Sequence, residues 1–260
     1  MADHRLNRCD WQRWLNIAFV LLVVASPFLF ASVGFAQDES KPAGEAQEHV
    51  IVWLIKTSGP IGAFLGVLSV YMVTKIIRLF TETKPAASLP PDVVDGGKAL
   101  LDKRDFKGLY TLVKQDKSPF STMVKAGMAE LSNGLPEARA AIEKSFEMIS
   151  AENEKKIAPL AVLGSLGPLI GLLGTLQGMI AAFGTIARSD QSMKANVVAG
   201  NISEALVITF EGVFLSVPAI FFYSFFKNRL TVNTVNTLLT SDEFVGKMAA
   251  AARSKTAGAG

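Results

Sequence analysis

The chain has 260 residues, half of them apolar, and its mean hydropathy is positive at +0.33. A net charge of +3 is too small to indicate a nucleic-acid partner. A single cysteine excludes an intrachain disulfide. The sequence contains no paired-cysteine, His-Glu-x-x-His or phosphate-loop motif, so no metal, no cofactor and no enzyme activity is predicted.

The apolar residues concentrate in four blocks, at 15–35, 51–80, 158–186 and 202–226. A helix needs about 20 mostly apolar residues to cross a hydrocarbon core of about 30 Å. All four blocks are near or beyond that length. The sequence therefore predicts an all-α, polytopic membrane protein.

The first block resembles a secretory signal. Three arginines precede an apolar core, and residues 34–36 offer small side chains for cleavage. We predict a signal peptide at 1–36. An uncleaved signal anchor is the alternative, because the core is long and Pro27 interrupts it. In both cases residues 37–50 are expected in the periplasm. Most of the charged residues in this segment are acidic.

Basic residues mark the cytoplasmic ends of the later blocks. Lys75, Arg78 and Lys84 close the second block, and Lys227 and Arg229 follow the fourth. The sequence predicts three mature transmembrane helices at 51–80, 158–186 and 201–226, a cytoplasmic helical domain at 81–157, a periplasmic loop at 187–200 and a cytoplasmic tail at 227–260.

The region 81–157 has the composition of soluble helices. Three prolines make a break at its start, and Asp92 is expected to cap the helix that follows. Asn133-Gly134 indicates a turn, and Pro136 opens a longer helix that is expected to run into the membrane.

The third block carries two pairs of glycines, Gly167 with Gly171 and Gly174 with Gly178. A spacing of four places both members of a pair on one helical face, and in lipid such faces let two backbones approach closely. This helix also carries Thr175 and Gln177. The hydroxyl of Thr175 either lines an ion pathway or bonds the backbone of its own helix. Gln177 is expected to join helices.

The fourth block contains no lysine or arginine but holds Glu204 and Glu211. Seven residues advance a helix by about 700°, within about 20° of two turns, so the two glutamates share a face. Ionisable residues inside a membrane are expensive and usually functional. Alternatively, Glu204 lies in water at the outer interface, or Glu211 pairs with a lysine from outside the third and fourth blocks.

A second stripe on the same helix consists of small and hydroxyl residues at i, i+4, i+7 and i+11: Ala205, Thr209, Gly212 and Ser216. We assign to helix packing the residues Gly167, Gly171, Gly174, Gly178, Gly212 and Pro218.

Two linked motifs, at 167–180 and 202–212, followed by Val217-Pro218-Ala219, resemble the MotA/TolQ/ExbB proton channel family. The resemblance covers 158–226, and the predicted topology agrees with the ExbB and TolQ branch. It implies a homo-pentamer around a central pore that the second and third mature spans line. It also implies a single-span partner inside that pore, similar to ExbD or TolR and bearing an aspartate, and a TonB-like or Tol-Pal envelope protein beyond it.

In this resemblance Thr175 and Thr209 match pore-facing threonines, and Glu204 matches the acidic residue near the start of the last span. Glu211 departs from the commonest pattern. That departure leaves open an extra proton stop, a different coupling ion such as sodium, or a lysine-bearing partner.

The leading hypothesis is a multi-pass subunit of the bacterial inner membrane that couples the proton motive force to outer-membrane uptake, as ExbB does. TolQ-like envelope constriction and a gliding or flagellar stator are alternatives in the same class. A structural membrane scaffold is the alternative of another class. A solute carrier is disfavoured because no inverted repeat is visible.

Overall fold

A computed structural model describes residues 59–187 and 195–257. Within these ranges the chain is helical and forms no strand, which confirms the all-α fold. The predicted segments at 1–36 and 37–50 lie outside the described residues, as do the start of the first predicted span and residues 188–194 of the predicted loop. The helices are α1 (Gly59–Glu82), α2 (Pro85–Ser88), α3 (Pro91–Asp102), α4 (Phe106–Gln115), α5 (Pro119–Glu130), α6 (Leu135–Ala187) and α7 (Ala195–Ala257).

Three of these helices, α1, α6 and α7, are long and apolar enough to cross a membrane. The 53 residues of α6 rise about 80 Å, whereas a hydrocarbon core is about 30 Å thick, so only part of this helix is needed to span it. The prediction of a multi-pass helical membrane protein with three spans is confirmed at this level.

The chain divides into two compact units. The span unit comprises, among the described residues, 59–76, 160–187 and 195–222. The polar unit comprises Ile77–Pro159 and the chain from Tyr223 onward. Helices α6 and α7 each contribute residues to both units.

The short helices of the polar unit begin at recognisable caps. Asp105 accepts a hydrogen bond from the backbone N–H of Gly108 at 2.9 Å, and Ser118 accepts one from Ser121 at 3.2 Å. Asp92 is not a cap: α3 begins at Pro91, whose fixed φ suits a first helical position, so Asp92 lies in the first turn.

One hydrophobic core holds the polar unit together, and five helices contribute to it. Its buried members come from α3 to α7 and include Val94, Leu101, Leu109, Val113, Phe120, Met123, Val124, Ile142, Phe244, Val245 and Met248.

The last part of α7, predicted only as a tail, belongs to this core. Phe244 packs its ring edge-on against Phe120, with centroids 5.1 Å apart. Beside it, the guanidinium of Arg139 binds Asp242 through two hydrogen bonds of 2.7 and 3.2 Å. Residues 228–251 of α7 are therefore a structural part of the polar unit.

Gly127 is a test of how tightly this core is packed. A Cβ at this position would lie 2.8 Å from Val245 and 2.9 Å from Ile142, both buried. We expect Gly127→Ala to destabilise the protein by about 1–3 kcal/mol, the usual cost of overpacking. The measurement is thermal unfolding in detergent.

The control is Gly246→Ala on α7, where a Cβ meets nothing within 4 Å. Alanine is favoured over glycine in a helix by about 1 kcal/mol, so this variant should match or exceed the wild type. If Gly127→Ala and Gly246→Ala lose the same amount of thermal stability, the tight packing around Gly127 is contradicted.

Asp116 organises the start of α5. It accepts hydrogen bonds from the hydroxyls of Ser118 and Ser121, the latter at 2.6 Å. Partial burial tends to raise the pKa of Asp116, but the bonds from Ser118 and Ser121 together outweigh it, so its pKa lies below the ordinary value.

A carboxyl whose pKa is lowered by folding stabilises the fold above its unfolded-state pKa, about 4 for aspartate, and this contribution is lost as the pH falls. We expect Asp116→Asn to be less stable than the wild type at neutral pH. The difference should narrow as the pH drops below about 4. Denaturant unfolding across the acid range, with the exposed Asp95→Asn as control, measures it. If the difference in unfolding free energy between the wild type and Asp116→Asn does not change with pH, the charge of Asp116 does not stabilise the fold.

Candidate functional site

In the span unit, α6 and α7 approach each other at glycine. A Cβ built on Gly212 would lie 2.5 Å from the carbonyl oxygen of Gly167 and 3.0 Å from Gly171. A Cβ on Gly167 would lie 2.6 Å from the carbonyl oxygen of Gly212. These contacts are with backbone atoms, which cannot rotate away, so only glycine fits at the crossing.

The contact continues along both helices in an antiparallel register. Gly171 faces the backbone of Thr209, and a Cβ on Gly171 would lie 3.1 Å from its Cα. Farther along, Gly174 meets Ile208, and Gly178 meets Ala205 and the carbonyl oxygen of Asn201. The stripe predicted on the fourth block therefore lies against the glycines of the third.

The sequence analysis missed one member of this contact. Gly164 lies against Ile220, and a Cβ there would be 2.5 Å from an Ile220 side-chain carbon. The signal was present in the sequence, because Gly164 precedes Gly167 by three residues and Gly171 by seven, on the same helical face.

Hydroxyl groups add polar bonds at the crossing. The Thr209 hydroxyl donates to the carbonyl oxygen of Gly171 at 2.8 Å and lies 3.3 Å from that of Ala205 on its own helix. Ser216, which is buried, donates to Gly212 at 2.8 Å. Thr209 thus bonds across the contact that the glycines make possible, as polar groups do between membrane helices.

The other candidate residues lie on or beside this pair. Thr175 is half-buried and donates its hydroxyl to the carbonyl oxygen of Leu172, at 2.8 Å in its own helix. Gln177 is exposed, and Pro218 is buried within α7. Glu204 and Glu211 are both half-buried.

The carboxyl group of Glu204 lies near the first described residue of α1. A Cβ built on Gly59 would be 3.9 Å from the Oε1 atom of Glu204. Gly59 has φ of +55°, a conformation that glycine adopts at little cost. The carboxyl group of Glu204 is thus close to the first described residue of α1.

This arrangement places two carboxyl groups on one helix of a close-packed pair. Among the described residues no group of three or more His, Cys, Asp or Glu is placed to hold a metal ion. The spans, the glycine contact and the acidic last span define a polytopic helical membrane protein with ionisable groups in its final span.

Part of the chain is similar to a known family of membrane proteins. Residues 115–237 match the model of the MotA/TolQ/ExbB proton channel family. This match confirms the resemblance predicted from the two motifs.

The similar curated proteins fall in two branches. The biopolymer transport protein ExbB of Neisseria gonorrhoeae is 37% identical over 101 residues, which cover 39% of this chain and 43% of that protein. The Tol-Pal system protein TolQ of Pseudomonas aeruginosa is 37% identical over 99 residues, covering 37% of this chain and 42% of that protein. ExbB of Xanthomonas campestris pv. campestris is 34% identical over 86 residues, 33% of this chain and 34% of that protein. The alignments thus span less than half of each relative.

The glycine crossing gives a direct test. We expect Gly212→Ala to push α6 and α7 apart and to weaken the Thr209 to Gly171 hydrogen bond, which should cost about 1–3 kcal/mol. Thermal stability in detergent or nanodiscs measures the loss.

Gly184→Ala, in the same apolar part of α6, is the matched control because a Cβ there meets nothing within 4 Å. If Gly212→Ala melts at the temperature of the control, the crossing is looser than described.

Proposed function

We propose that this chain is the multi-span subunit of a proton-driven motor in the bacterial inner membrane, and that it energises outer-membrane transport as ExbB-like proteins do. The observation that carries the proposal is that the family match at 115–237 contains both α6 and α7 spans, including Glu204 and Glu211. The segment 202–226 contains these two glutamates and no lysine or arginine.

The proposed proton path runs along α7. Glu204 takes and releases protons near one end of the span, and Glu211 lies about 10 Å farther along the same face. Thr175 and Thr209 line the path. Moving one charge through 100 mV releases about 2.3 kcal/mol, so a few protons supply the energy of a mechanical step.

The proposed topology follows the basic flanks. With Lys75, Arg78, Lys227 and Arg229 on the cytoplasmic side, the polar unit is cytoplasmic, and the start of α1 and the 187–200 connection are periplasmic. Five copies surround a pore that holds a single-span ExbD- or TolR-like partner with an aspartate. A TonB-like or Tol-Pal protein receives the work.

A conservative substitution tests the proton path. In cells that depend on this chain, Glu204→Gln should reduce energised outer-membrane uptake to the level measured without the chain, because an amide cannot carry the proton. The amount of membrane complex, measured by native electrophoresis, should be unchanged. Glu211→Gln, measured in the same way, shows whether the second carboxyl is an additional proton site.

The matched control is Glu147→Gln, an exposed glutamate of the polar unit outside the spans, which should leave uptake unchanged. If both span variants support normal uptake, the chain is a scaffold and not a proton path. Detergent sensitivity and loss of envelope constriction in a deletion strain, with uptake intact, would assign it to the TolQ branch instead.

A further inference from the structure

Within the polar unit a cleft lies between α6 and α7. Its lining residues follow one face of each helix: Phe146, Ser150, Asn153, Glu154 and Ile157 on α6, and Lys227, Leu230, Thr231 and Thr234 on α7. Its volume is about 150 Å³. Pockets that enclose a drug-sized ligand measure about 300–1,000 Å³. The cleft therefore fits a small chemical group or one end of a larger molecule.

The cleft has a closed floor and an open mouth. Ile157, Leu230 and Thr234 are buried and form the floor. There the amide of Asn153 donates to the hydroxyl of Thr234 at 3.1 Å and joins the two helices. The lining residues that are exposed carry the charges at the mouth, namely Glu154 and Lys227, with Thr231 beside them. The cleft thus offers two opposite charges above an apolar and hydroxyl-bearing floor.

These two charges are not paired with each other. Within the described part of the chain neither Glu154 nor Lys227 forms an ion pair. The ammonium of Lys227 lies 5.7 Å from the centre of the Tyr223 ring on its own helix. Because Asn153 bonds to Thr234, the neighbouring Glu154 lies roughly 9 Å beyond Lys227 along the helix axis. A molecule that carries both a negative and a positive group would match this spacing better than a single ion.

The mouth of the cleft lies at the depth of lipid headgroups. Ile157 is the last residue before the apolar block at 158–186, and Lys227 is the first residue after the block at 202–226. Headgroups occupy a layer of about 5–7 Å on each side of the hydrocarbon core. Lys227 therefore lies at the inner edge of this layer, and Glu154, roughly 6 Å from the start of its block, lies near the outer edge.

This order of charges is that of a phosphoethanolamine headgroup. In such a lipid the phosphate is next to the glycerol and acyl chains, and the primary ammonium is at the outer end. Lys227 is placed for the phosphate and Glu154 for the ammonium. The ammonium donates up to three hydrogen bonds, and the hydroxyl oxygens of Ser150 and Thr231 are further acceptors in the same cleft.

Glu154 is the residue that distinguishes between lipids. An anionic lipid without an amine gives its carboxylate no partner, and a trimethylated amine has no N–H to donate to it. Exposed lysines nearby, Lys155 and Lys156, are outside the cleft lining and attract any phosphate. Attraction to phosphate is thus common to all phospholipids, whereas recognition of a primary ammonium depends on Glu154.

We propose that this cleft binds the headgroup of a zwitterionic phospholipid with a primary amine, with Lys227 on the phosphate and Glu154 on the ammonium. The inference goes beyond the proposed function, and it requires neither a proton path nor a partner protein.

Native mass spectrometry of the chain released from nanodiscs tests the selectivity. The nanodiscs contain equal amounts of phosphatidylethanolamine, phosphatidylcholine and phosphatidylglycerol. The wild type should retain phosphatidylethanolamine in preference to the other two lipids. Glu154→Gln should reduce this preference about tenfold, the effect of losing one hydrogen bond to a charged group. An unchanged preference in Glu154→Gln would overturn the proposal.

The matched control is Glu152→Gln. Glu152 is exposed on the same helix two residues earlier and does not line the cleft. This variant should retain the lipids in the same ratio as the wild type. If it loses the preference as Glu154→Gln does, the effect comes from the net charge of α6 and the proposed headgroup site is wrong.

The phosphate end of the site has its own pair of variants. Lys227→Gln should lower the retention of phosphatidylethanolamine, whereas Lys155→Gln, which removes an exposed lysine outside the cleft, should not. Equal losses in the two variants would show attraction to a basic surface and would overturn binding in the cleft. Circular dichroism verifies that each variant is folded.

A soluble ester of the same chemistry separates a lipid from a metabolite. In detergent, added phosphatidylethanolamine should raise the melting temperature of the wild type, and soluble phosphoethanolamine at the same concentration should not, because it has no acyl chains to hold it at the bilayer. Equal stabilisation by the two would overturn the assignment to a lipid. Lipid retention is measured on the purified chain, so its result and the uptake result for Glu204→Gln can fail separately.

Discussion

The constraint behind the whole structure is that lipid gives membrane helices no hydrophobic reason to associate. Close packing and polar bonds must do so instead. At the crossing of α6 and α7 glycine removes the side chain from both partners, and the Gly212 and Gly167 backbones come into contact. Thr209 can then reach the Gly171 carbonyl oxygen. The two helices with the family motifs are held by this contact.

Much of the fold could be predicted from the sequence, because a helix that crosses a membrane needs an apolar segment of a minimum length. About 20 apolar residues predict a span, and helices α1, α6 and α7 satisfy it. The continuity of α6 into the membrane was also predicted, as a longer helix opened by Pro136. The packing of the stretch after 227, which was predicted as a tail, was not predicted. Its buried face is largely threonine and serine, which hydrophobic periodicity does not detect.

The residues of the candidate site could be predicted from the sequence, but their contacts could not. Spacing alone places Glu204 and Glu211 on one side of a helix. It does not indicate that Thr209 bonds across to another helix while Thr175 bonds within its own. The hydrogen-bond partner of each threonine depends on which helix packs against it, and this is determined by the tertiary structure. The same is true of Gly164, whose role becomes visible only with Ile220 in place.

The unbroken course of α7 from Ala195 to Ala257 also limits how this gene can change. Each residue added to a helix turns everything after it by about 100°. One inserted codon between Leu230 and Phe244 would keep the amino acids on both sides of it and yet turn Phe244 by about 100° relative to Leu230, although both are buried in the polar unit. The fold of this segment is therefore more sensitive to insertions and deletions than to most substitutions, because the number of residues in the helix fixes which side chains are buried.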